Sequence, residues 1–203
     1  MALNLKGQSE IAETSVYIKT TANGETVVAD ITRIWTAKGY GWQAMATAAV
    51  AALVVRPTTV AMATLYNNTS NNFVIERAFA HNLVAVANSS YGIWLCVHPI
   101  GMTAPTNDIT VRNSLSGKTT GSSGIFDNGA TVLDDGWFPW GGADKVVTVT
   151  VPGGQQVAEI AGRIIIPPTA ALSLQIVGST TSVTCTTGFM WYSVPTTQFA
   201  VSQ

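Results

Sequence analysis

The chain has 203 residues, of which 10% are Asp, Glu, Lys or Arg, against roughly 25% in an ordinary soluble domain. Its ten basic and eleven acidic residues give a net charge of -1 and form no basic run, which argues against a direct nucleic-acid partner, because phosphate backbones are held by clustered Lys and Arg. A composition so poor in charge indicates a surface that neighbouring subunits cover rather than the surface of a catalyst.

The first 40 residues differ from the rest because charged side chains are concentrated there. Ser15 to Thr20 and Thr26 to Trp35 both alternate, and Asn23-Gly24 between them is a hairpin-type turn signal, so this part predicts a β-hairpin. We interpret residues 1–56 as an N-terminal arm with a hairpin and a short helix. The N-terminus lacks the uninterrupted apolar stretch of a secretory signal, which favours folding in a cytoplasm.

The alanine-rich segment from Trp42 to Leu53 predicts the short helix, because Ala has the highest helix propensity. Arg56-Pro57 ends it, since the residue before proline is pushed toward extended conformations. The apolar stretch from Trp42 to Val55 is shorter than the ~20 residues that cross a bilayer. We therefore expect it to be buried in the protein and expect no membrane partner.

From residue 57 onward, short alternating segments are separated by turn-forming residues rich in Asn, Ser, Gly and Pro. This spacing, without intervening helical patterns, predicts an all-β, jelly-roll-like β-sandwich over residues 57–203. The predicted strands are Thr59 to Tyr66, Phe73 to Ala80, Leu83 to Ala87, Tyr91 to Val97, Asp108 to Arg112, Lys145 to Val151, Arg163 to Ile166, Ala171 to Val177 and Ser182 to Val194.

A long insertion at residues 113–144 interrupts the strand pattern and ends in an aromatic cluster formed by Trp137, Phe138 and Trp140. Insertions of this length are usually functional or disordered. The three rings predict a plug of the open end of the sandwich or a contact between subunits. The alternative is a platform on which sugar rings stack.

Glu76 and Arg77 stand in the middle of an otherwise apolar predicted strand. Successive residues face opposite sides of a sheet, so a charged pair there indicates either an edge strand or burial against another chain. We expect one of the two to make an intersubunit contact, with an ordinary solvated strand face as the alternative.

Residues with reactive side chains form no recognisable catalytic or metal-binding motif. Cys96 and Cys185 are expected to be buried free thiols, with a cross-sandwich disulfide as the alternative. Asp134 and Asp135 are expected to be solvated loop carboxylates, because their spacing matches no calcium loop. We expect no catalytic residue, no cofactor and no metal.

Three segments of the chain resemble the jelly-roll virion proteins of tailed bacteriophages. They are TLYNNTSNNFVIERAF (Thr64 to Phe79), the strand from Gly92 to Val97, and the late segment from Ala161 to Pro195. The late segment contains an I-x-P-x-x-A-L element before the penultimate strand and ends in an aromatic strand that closes the sheet. The resemblance covers roughly residues 57 to 195 and leaves out the arm and the insertion.

This resemblance implies a structural virion protein, a capsid decoration or minor capsid component of a bacteriophage, that binds the viral shell and has no catalytic residues. The expected partners are two further copies in a homotrimer and the major capsid or other virion proteins, and the expected location is the virion, assembled in the host cytoplasm. A second hypothesis is the receptor- or glycan-binding head of a tail fibre or spike, with the aromatic cluster as its platform. An enzyme such as a polysaccharide hydrolase is the weakest hypothesis, because no acid/base pair can be named.

Overall fold

A computed structural model describes residues 31–84, 89–106, 109–121, 123–129, 136–140, 144–146 and 154–198. Over these residues the chain forms one helix and thirteen strands. They are α1 (Ile31–Ala37), β1 (Gly41–Met45), β2 (Val50–Ala51), β3 (Ala63–Tyr66), β4 (Asn71–Val84), β5 (Ser89–His98), β6 (Arg112–Asn113), β7 (Ile125–Asp127), β8 (Phe138–Pro139), β9 (Asp144–Val146), β10 (Gln155–Glu159), β11 (Ile165–Ile166), β12 (Ala171–Gly178) and β13 (Thr184–Pro195).

The strands form two antiparallel sheets. The first has the order β10-β4-β13-β1-β6, with β11 also on β4 and β2 also on β13; the second has the order β7-β3-β12-β5-β8, with β9 also on β5. Without the short strands β2, β6, β7 and β11, the first sheet has the order β10-β4-β13-β1 and the second has the order β3-β12-β5-β8, with β9 beside β8 on β5. This is the strand order of a jelly roll. The predicted all-β, jelly-roll-like sandwich is confirmed.

The core lies between the two sheets because each strand turns alternate residues inward. In β12, Leu172, Leu174 and Ile176 are buried in this core. Two aromatic pairs help to fill it: Phe73 and Trp191 have ring centroids 6.1 Å apart, and Phe126 and Phe189 have ring centroids 6.0 Å apart.

The predicted helix from Trp42 to Leu53 is wrong, because that segment contributes β1 and β2 to the first sheet. Trp42 and Ala44 are buried while Gln43 and Met45 are exposed, which is the alternation of a half-buried strand. Pairing with β13 overrides the helix propensity of alanine. The apolar stretch from Trp42 to Val55 is also less buried than expected, since Val54 and Val55 at its end are exposed.

The one described helix, α1, begins at Ile31, inside the segment from Thr26 to Trp35 that was predicted to be a strand, so that prediction is wrong for its last residues. Residues 1–30, which hold the rest of the predicted hairpin and arm, lie outside the described part of the chain. The chain divides into two compact units, Met1–Ile34 and Trp35–Gln203. The sandwich therefore begins before residue 57, at β1.

Part of the predicted insertion at 113–144 belongs to the sheets. β6 pairs with β1 and β7 pairs with β3, so that this connection adds an outer strand to each sheet. The chain then returns through β8 and β9, both of which pair with β5. Phe126 of β7 reaches the inter-sheet core, where it packs against Phe189. The carboxylates of Asp134 and Asp135 lie outside the described residues.

Candidate functional site

The three predicted aromatic residues are positioned by β8, but they do not form one platform. β8 places Phe138 opposite Leu95 of β5. Side chains alternate along a strand, and Phe138 and Trp140 pack against the core between the sheets, whereas Trp137 belongs to a separate apolar cluster. The cluster that is contiguous in sequence is therefore divided between the two faces of the second sheet.

Trp137 lies on the outward face of the second sheet and is only 3% exposed. Its indole Nε1 donates a hydrogen bond to the carbonyl oxygen of Thr58 over 3.1 Å, and its own carbonyl accepts one from Nη2 of Arg56 over 3.4 Å. A buried indole that has found a polar partner for its N–H is a packing element. The other members of this outer cluster are Ala61, Cys96, Trp94 and Met102.

Phe138 and Trp140 are half-buried and pack on each other, with ring centroids 5.6 Å apart and ring planes at 55°. Nε1 of Trp140 donates to the carbonyl oxygen of Glu159 over 3.4 Å, which joins this end of the insertion to β10. The two rings pack on each other and on the core between the sheets, as the plug interpretation expects, while part of each ring stays exposed.

A buried polar row that the sequence did not predict crosses the outward face of the second sheet. Asp127, Thr64, Ser173 and Cys96 lie directly opposite one another on β7, β3, β12 and β5. The hydroxyl of Ser173 lies 2.8 Å from the hydroxyl of Thr64 and 2.8 Å from Nε2 of His98. All five side chains are buried. Only the pairing of β7 with β3, and of β3 and β5 with β12, could have revealed this row, because its members are far apart in sequence.

The contact between Ser173 and His98 has the residue types of a nucleophile and its base, but its surroundings fit a structural role. Ser173 has no exposed surface and His98 has 3%, whereas a nucleophile must meet its substrate. The hydroxyl of Thr64 provides a further partner for Ser173. The network satisfies the polar groups of a sheet whose outward face is covered.

Glu76 and Arg77 lie on β4, which has neighbours on both sides in the first sheet and is therefore not an edge strand. Nε of Arg77 donates to Oε2 of Glu159 on β10 over 3.0 Å, and both side chains are about half exposed. The pairing with β13 shifts between Arg77 and Ile75, so Glu76 is the extra residue of a β-bulge. Its carbonyl accepts hydrogen bonds from the backbone N–H groups of Ile160 and Ala161. Bulges commonly re-aim side chains at functional surfaces.

Cys96 and Cys185 are both buried free thiols, so that prediction is confirmed and the alternative of a disulfide is wrong. Burial raises the pKa of Cys185 to about 11, and the hydrogen bond from Nδ2 of Asn82 over 3.8 Å acts in the opposite direction. At neutral pH the Cys185 thiol is protonated and enclosed, which makes it a small apolar packing group.

Among the described residues, no group of three or more His, Cys, Asp or Glu side chains is arranged to hold a metal ion. Within the same part of the chain, no helix has the length and apolar character needed to span a membrane.

No protein-family model, curated protein or solved structure matches the chain.

Replacing Trp137 by Ala should lower the free energy of unfolding by about 3–5 kcal/mol, because truncating a buried aromatic side chain removes its apolar contacts and leaves a cavity. Trp140→Ala should cost less, because its ring is only half-buried. Trp137→Phe, which keeps a ring but loses the N–H donated to Thr58, should fall between wild type and Trp137→Ala. Urea unfolding followed by circular dichroism measures all three; an unchanged midpoint for Trp137→Ala would contradict its place in the packing.

The raised pKa of Cys185 predicts a loss of stability at high pH. Between about pH 9 and pH 11 the thiol ionises in the unfolded chain but not in the folded one, so the free energy of unfolding should fall as pH rises through this window, by up to roughly 2–3 kcal/mol. Cys185→Ala should remove this component even though it lowers stability at pH 7. Unfolding curves at pH 8 and pH 10.5 measure the effect, and equal pH dependence of wild type and variant would contradict it.

Proposed function

We propose that this chain is a non-enzymatic structural protein of a bacteriophage virion, a capsid decoration or minor capsid component that binds the viral shell through subunit contacts. The observation that carries the proposal is that reactive side chains in the described part of the chain serve its own packing. Ser173, His98 and Cys96 are buried on the outward face of the second sheet, and Cys185 is a protonated, enclosed thiol.

The low charge of the chain supports an assembly role. Proteins that function alone in solution keep a charged, patch-free surface, whereas large exposed apolar patches mark interaction sites. Here 10% of residues are charged and 47% are hydrophobic, and exposed apolar residues such as Met45, Val157 and Leu115 remain on the described surface. The proposal includes the homotrimer predicted from the sequence and a location in the virion.

The jelly-roll strand order is compatible with this role but does not select it, because one fold hosts many unrelated functions. The resemblance of residues 57 to 195 to phage virion proteins directs the choice among those functions. The first 40 residues of the arm, where charge is concentrated, are proposed to reach neighbouring subunits of the shell.

A glycan-binding head remains the second candidate because Phe138 and Trp140 keep part of their surface exposed. Retention of the protein on a column of host polysaccharide distinguishes the two candidate functions. The structural role predicts that the wild-type protein is not retained. A glycan platform predicts that the wild type is retained and that Trp140→Ala is not.

Co-sedimentation with assembled and with empty particles of the virus that encodes the chain tests the proposal. We expect the full chain to co-sediment with particles, and we expect deletion of residues 1–14 to leave a folded protein that associates poorly, because the arm supplies contacts to the shell. Deletion of residues 199–203 is the matched control and should leave association unchanged.

Circular dichroism and a thermal melt establish that each truncated chain is folded. Failure of the full chain to associate with either kind of particle would overturn the virion role. Full association of the chain that lacks residues 1–14 would instead overturn the role of the arm alone.

A further inference from the structure

We draw no further inference here: the strongest candidate, the exposed apolar surface around Met45 and Val157 on the outward face of the first sheet, carries none, because nothing in the described part of the chain shows what covers it.

Discussion

The structure depends on the antiparallel ladder between β4 and β13. It runs from Thr184 opposite Val84 to Pro195 opposite Asn71, and it sets the register that brings Trp191 onto Phe73 in the core. β13 also carries β1 and β2, so three parts of the first sheet are held by this strand. β12 and β13 are consecutive in the chain and occupy central positions in opposite sheets. Neither sheet can be completed before these late residues are in place, which makes the fold one of long-range contacts.

The two sheets differ in what lies outside them, and this difference relates the fold to the proposed function. The second sheet is covered by its own chain, and the polar groups beneath that cover are hydrogen-bonded to one another through Thr64, Ser173 and His98. These hydroxyl and imidazole side chains, which elsewhere can be catalytic, therefore rigidify a buried surface of the second sheet. The first sheet has an outward face that exposes Met45 and Val157. An assembly subunit needs an exposed apolar surface such as this face of the first sheet. A catalyst needs its reactive groups to be accessible instead.

The sequence predicted the elements whose residues alternate strongly and failed where pairing decides the structure. The strand predicted over Ala171 to Val177 matches β12 closely, because its apolar and polar residues alternate. Trp42 to Leu53 was misread because small alanines that suit a helix also suit a strand packed closely beside β13. The aromatic cluster was found by composition, yet its division between two faces follows from the pairing of β8 with β5. Glu159 as the partner of Arg77 required the register between β10 and β4.

Oxidative footprinting of the methionines tests the central claim most directly, because Met45 is 42% exposed in the single chain and Met62 is 1% exposed. The proposed assembly role predicts that Met45 is oxidised less in the chain bound to particles of the virus than in the free chain. Met62 should be protected in both states and reports that the fold is intact. Equal oxidation of Met45 in the two states, with Met62 protected in each, would contradict the claim that subunit contacts cover this exposed surface.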